Sequence, residues 1–87
     1  MMGKYINIYF SQMPENSYLD EIEDDLSDLL DERGEVTGAG FGVGGGNIDI
    51  EIYGEWDVVP EIKSYLVSYG FGEDTVLDIG GKREPLC

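Results

Sequence analysis

Asn47-Ile48-Asp49-Ile50-Glu51-Ile52-Tyr53 is the most regular alternation in the chain, with three isoleucines on one parity and Asn47, Asp49, Glu51 and Tyr53 on the other. Successive side chains of a strand point to opposite faces of a sheet. Ile48, Ile50 and Ile52 are therefore expected to face a core, and Asp49, Glu51 and Tyr53 to face away from it. The preceding residues also change with period two. From Glu35 onward Val36, Gly38, Gly40, Gly42 and Gly44 share one parity, and Thr37, Ala39, Phe41 and Val43 the other, which reads as a strand with one glycine face. Gly45-Gly46 offers the positive φ angles of a hairpin turn between the two strands.

Upstream of this hairpin, Tyr5-Ile6-Asn7-Ile8-Tyr9-Phe10 predicts a first strand, with Ile6, Ile8 and Phe10 inward and Tyr5, Asn7 and Tyr9 outward. Residues 11–16 carry Pro14 and polar side chains and read as a loop. Ser17 and Asp20 have the Ser-x-x-Asp spacing of a capping box, which predicts a helix start. In that helix Leu19, Ile22, Leu26, Leu29 and Leu30 form one apolar stripe. Asp20, Glu21, Glu23, Asp24, Asp25, Asp28, Asp31 and Glu32 cover the rest, and Gly34 after Arg33 reads as the left-handed stop. Downstream, a turn near Gly54 leads to a second helix over 57–69, with Pro60 in its first turn, Val58, Ile62, Leu66 and Tyr69 on one face and Gly70 at its end. Residues 75–79 predict the last strand, and residues 80–87 a basic, mobile tail with Lys82 and Arg83.

The order β-α-β-β-α-β in a single domain spanning 1–87 predicts an α+β, ferredoxin-like split β-α-β sandwich. Its four-stranded antiparallel sheet would have the order 4-1-3-2, with two helices on one face. The opposite face is then open. Tyr5, Asn7 and Tyr9 of the first strand, Asp49, Glu51 and Tyr53 of the third, Asp78 and Val76 of the fourth and the glycines of the second would line it.

Charge narrows the choice of partner. Nineteen Asp and Glu stand against five Lys and Arg, with no His, giving a net charge of −14 over 87 residues. Such a surface repels phosphate, so neither nucleic acid nor an anionic membrane is an expected partner, whereas a cationic protein is. Acidity also serves solubility, and that plainer reading applies to any one carboxylate. A hydrophobic content of 41%, with six Tyr, three Phe and one Trp, predicts a folded domain rather than disorder. The sole cysteine, Cys87, leaves no intramolecular disulfide and no cysteine metal cage. Residues 1–10 lack a signal h-region and cleavage site, and no run approaches the roughly 18 apolar residues of a membrane span. A cytoplasmic location is expected.

The open face interleaves tyrosines with carboxylates. Sheets of this topology stack RNA bases on such aromatics, but the charge that would hold phosphate is reversed here. Tyrosine with acid suits the Lys and Arg of a basic protein cleft instead, and Tyr5, Asn7, Tyr9, Asp49, Glu51, Tyr53 and Asp78 are the candidate contact residues. The first helix offers a rival surface in Asp20, Glu21, Asp24, Asp25 and Asp28.

Other motifs lead nowhere. Gly40-Phe41-Gly42-Val43-Gly44-Gly45 satisfies G-x-G-x-x-G, yet it leads into a strand, where a dinucleotide site needs strand, turn and helix. The acids of the first helix lack the loop spacing and glycine of an EF-hand. Asp49 and Glu51 lie about 7 Å apart along one strand but without a cleft to raise a pKa. Trp56, after the hairpin, reads as core or hinge packing. With no His and no activated Ser or Cys, the expectation is a protein that is not an enzyme and takes no cofactor and no metal.

The stretch Gly38-Ala39-Gly40-Phe41-Gly42-Val43-Gly44-Gly45-Gly46-Asn47-Ile48-Asp49-Ile50-Glu51-Ile52, with the acidic first helix and the chain length, resembles small acidic bacterial immunity proteins of contact-dependent growth inhibition and related polymorphic toxin systems. What the resemblance implies is a protein that binds the C-terminal toxin domain of such an effector, often a nuclease, and blocks it stoichiometrically. Contact residues differ widely across such families, so the candidate residues above rest on strand parity alone. The alternative expectation is an assembly or regulatory domain that forms a homodimer through its sheet, since the glycine-rich strand is an unprotected edge.

Overall fold

The computed structural model describes residues 4–86. Cys87 lies outside them. In chain order the elements are β1 (Lys4–Phe10), α1 (Leu19–Leu30), β2 (Gly34–Gly42), β3 (Gly45–Ile52), α2 (Val59–Tyr69), β4 (Val76–Ile79) and β5 (Lys82–Pro85), with single 3-10 turns at Asp31–Arg33 and Trp56–Val58. The strands form one antiparallel sheet in the order β2-β3-β1-β4-β5, and both helices pack on the same face. This is an α+β domain of ferredoxin-like type in general terms.

The sheet has five strands rather than four. Gly80 and Gly81 both adopt positive φ (60° and 91°) and close a two-residue turn, so residues 82–85 fold back beside β4 instead of running on as a tail. Leu86 follows into the core, 6% exposed, with its N–H donating to the Thr75 carbonyl.

The period-two pattern builds the core directly. Ile6 sits between Ile50 and Ile79 in cross-strand register, and Ile8 between Ile48 and Leu77. Ile22, Leu26 and Leu30 of α1 and Ile62 and Leu66 of α2 cover them, together with Val58 of the turn before α2, and all six of these are fully buried. Each such side chain stabilises the fold by roughly 1.5–3 kcal/mol relative to remaining in water.

Three local features depart from the sequence reading. The capping box of Ser17 and Asp20 is not made: Tyr18 is the N-cap residue, no side chain caps the helix, and the Ser17 hydroxyl donates to the Pro14 carbonyl. Gly34 is not a left-handed stop either. The residue with positive φ after α1 is Asp31 (52°), while Gly34 is extended, and a Cβ there would collide with the Glu51 carbonyl oxygen. Gly34 is thus required by close approach to β3. The hairpin between β2 and β3 turns at Val43-Gly44, two residues earlier than read, because Gly42 already pairs with Gly45.

A bulge lies in β2 between Val36 and Gly38, with the Thr37 hydroxyl donating to the Asp49 carbonyl at 3.3 Å. Strict alternation would put Val36 on the glycine side. The extra residue lets both Val36 and Ala39 pack against the core, while Gly38 and Gly40 stand opposite Asp49 and Asn47.

Thr75, just before β4, is fully buried, and its hydroxyl has no hydrogen-bond partner among the described residues. Leaving such a group unsatisfied costs about 1–3 kcal/mol. The near-isosteric Thr75→Val is expected to raise stability by about 1 kcal/mol, read as a rise of about 4–8 °C in the melting midpoint by circular dichroism; an unchanged or lower midpoint would show that the hydroxyl is satisfied in solution.

Candidate docking face

Because Ile6 and Ile8 point to the helices, Tyr5, Asn7 and Tyr9 point the other way, and the register assembles three rows across the uncovered face. Glu35, Glu51 and Tyr5 lie side by side on β2, β3 and β1. Gly38, Asp49, Asn7, Asp78 and Arg83 form the middle row across all five strands. Gly40, Asn47, Tyr9, Val76 and Pro85 form the third. Tyr53 follows β3, held by its N–H to the Arg33 carbonyl at 2.8 Å. Tyr5, Tyr9 and Tyr53 are 49%, 38% and 56% exposed, unusually open for rings of that size.

No carboxylate of this face is in an ion pair among the described residues. Among the described residues the ion pairs are Lys4–Glu55, Arg33–Glu61 and Lys63–Glu84, and none touches Glu35, Asp49, Glu51 or Asp78. Glu35 and Glu51 face each other directly across two strands, an arrangement that destabilises a sheet. Asn47 Nδ2 donates to Asp49 Oδ1 at 3.2 Å and orients it, and Asp78 Oδ1 accepts from the Gly81 N–H at 2.9 Å at the β4–β5 turn.

Sequence parity places the seven candidate residues of the face, and the structure adds two that it does not single out. Arg83 reaches the face from β5, its guanidinium 5.3 Å from the Tyr9 ring centroid. Glu35 lies beside Tyr53. A hydrogen bond to the Glu35 carboxylate, then desolvation and the charges of Glu35 and Glu51, push the Tyr53 phenol up to about 12.

The rival surface on α1 is partly spent inside the domain. Tyr65 of α2 donates its hydroxyl to Asp25 Oδ2 at 2.8 Å, and Tyr69 to Glu21 Oε1 at 2.6 Å. Both phenols are pushed up, Tyr65 chiefly by burial and then by Asp25, and Tyr69 chiefly by its bond to Glu21. Asp20, Asp24 and Asp28 remain exposed. Trp56 is half-buried against the core, with the Lys4 ammonium 5.5 Å from its ring. Among the described residues no three His, Cys, Asp or Glu are grouped to hold a metal ion, and no helix is long and apolar enough to cross a membrane.

No family model, no curated protein and no solved structure matches the chain.

Raised folded-state phenols fix the sign of the alkaline response. The contribution of Tyr53 is fully present below its unfolded value near 10 and is lost as pH rises through about 12. Spectrophotometric titration is expected to show a tyrosinate step near pH 12 that disappears in Tyr53→Phe and moves down in Glu35→Gln. A Tyr53 step unmoved by Glu35→Gln would refute the pairing.

Proposed function

We propose that this chain is a non-enzymatic immunity protein of the cytoplasm that neutralises a basic toxin domain, of nuclease class, by docking the open sheet face over the toxin's active site. The observation that carries this reading is the set of un-neutralised carboxylates interleaved with half-exposed tyrosines on a face that no element covers. Carboxylates there meet the Lys and Arg that line a phosphate-cleaving cleft, and tyrosines provide rigid contact area. A nanomolar complex needs about 12 kcal/mol, more than exposed charge delivers, so Tyr5, Tyr9 and Tyr53 are the anchors and the acids set orientation and association rate. The stability lost to the Glu35–Glu51 repulsion in the free chain is regained when a cation settles between them. The resemblance to immunity proteins supplies the identity of the occupant.

The test pairs two double charge reversals, Asp49→Lys with Glu51→Lys and Asp24→Lys with Asp28→Lys, against the basic toxin domain that this reading expects to be encoded beside this chain. Reversal on the face is expected to weaken a 1:1 complex by at least about 30-fold, and reversal on α1 to slow association by less than about ten-fold. Glu51→Gln is expected to raise the melting midpoint while weakening the complex. Loss of binding on reversal of α1 alone, with the face variant intact, would reject the face.

A second reading has its own observation. β2 is a nine-residue edge strand whose only charge is Glu35, with Phe41 and Val43 exposed at its end, whereas the β5 edge is blunted by Lys82, Arg83 and Pro85. A homodimer would form through β2. Sedimentation is expected to show a monomer when no partner is present; a dimer that Phe41→Pro abolishes and the face reversal leaves intact would favour the second reading instead.

A further inference from the structure

Of the five Lys and Arg in the chain, three are held in ion pairs away from the open face, and Lys82 leans the other way, since it pairs in register with core-side Ile79. Arg83 alone lies on the acidic face. It stands opposite Asp78 in register, yet its guanidinium rests on the Tyr9 ring at 5.3 Å and makes no hydrogen bond or ion pair within the described residues. A flat, weakly hydrated cation is thus stacked on an aromatic ring, one residue row from Asp49 and Asp78, with its five N–H donors unspent.

We propose that Tyr9, Asn7 and Asp78 form a seat for a guanidinium group, that Arg83 is its resident occupant, and that the cationic partner docks by inserting an arginine that displaces Arg83. This rests on the docking reading of the open face and narrows the partner to one presenting arginine rather than lysine. Three features favour that choice. Tyr9 offers a ring face, and delocalised guanidinium stacks on aromatics more readily than ammonium does. Asp78 accepts the Gly81 N–H through one oxygen, leaving the other for a charge-assisted bond. Asp49 lies on the far side of Asn7 in the same row, so an entering fork finds a carboxylate at either hand. The resident Arg83 is held by the ring alone, which makes displacement inexpensive.

The probes are a hexa-arginine and a hexa-lysine peptide, titrated at low ionic strength into the full chain while backbone amide resonances of β1, β3 and β4 are followed. Arg83→Ala and Lys82→Ala each remove one positive charge from neighbouring exposed positions, but only the first vacates the seat. Hexa-arginine is expected to bind Arg83→Ala about two- to five-fold more tightly than Lys82→Ala, and Tyr9→Leu to lose a similar factor for hexa-arginine but not for hexa-lysine. Dispersed amide spectra verify that each variant is folded. Equal affinities of Arg83→Ala and Lys82→Ala would show that only net charge matters and overturn the seat. Binding at the face with no preference between the peptides would overturn the arginine assignment and leave the docking reading standing. Failure of both peptides to shift any resonance of the face, with shifts confined to α1, would overturn the docking reading and this inference together.

Discussion

The structure depends on one constraint: β1 and β3 are paired residue for residue, and both alternate isoleucine with polar or tyrosine side chains. Ile6 on Ile50 and Ile8 on Ile48 fix the register. A slip by one residue would drive Asp49 and Glu51 under the helices, and burying an unpaired carboxylate costs far more than any alternative pairing returns. The acids on β3 therefore act as a guard on the fold as well as a feature of its surface. The two helices, each with one apolar stripe, have only the isoleucine side to cover. The Tyr and acid residues are left on the other side by the same alternation that makes the core.

That division explains how so acidic a chain folds at all. Among the described residues the fully buried side chains are apolar except Thr75, and every Asp and Glu is at least partly in water, where repulsion is screened over about 8–10 Å. Within the acidic shell the two surfaces differ in kind. On α1, Glu21 and Asp25 are bound by Tyr69 and Tyr65 of α2, so part of that charge ties the helices together. On the sheet, Glu35 and Glu51 oppose each other, and neither is in an ion pair among the described residues. Structural use accounts for the first arrangement. The second is a net cost to the isolated domain, one that a cationic occupant of the kind proposed would offset.

Much of this was legible in the sequence, because period two assigns faces without any tertiary information. The four strands of the β-α-β-β-α-β order, both helices and the outward set Tyr5, Asn7, Tyr9, Asp49, Glu51, Tyr53 and Asp78 follow from alternation and from Pro60 and Gly70. β5 was not legible. Lys82-Arg83-Glu84-Pro85 has no apolar alternation, since an edge strand needs only backbone partners, and the usable signal was the Gly80-Gly81 pair followed by Leu86. Arg83 was missed for the same reason: a residue in a supposed tail has no face. The bulge at Thr37 left no mark in composition, and the Ser17-x-x-Asp20 spacing pointed to a cap that the Pro14 carbonyl outcompetes for the Ser17 hydroxyl.

The glycines of β2 divide into those the fold uses and those it does not. Gly34 lies where a Cβ would strike the β3 backbone, and Gly46, at the start of β3, where it would meet both the Gly40 carbonyl and the Phe10 ring. Gly38 and Gly40 have only ordinary van der Waals neighbours in the Asp49 and Asn47 side chains, Gly42 has none, and none of the three has positive φ. Their hydrogens leave the β2 flank of the middle row low, with no side chain of β2 standing beside Asp49 in its row. On the opposite flank Arg83 lies over Tyr9. The face is therefore open at its β2 side and occupied at its β5 side. A basic partner of the kind proposed would meet the carboxylates of Glu35, Asp49 and Glu51 first, and would reach the Tyr9 ring only by displacing the guanidinium already there.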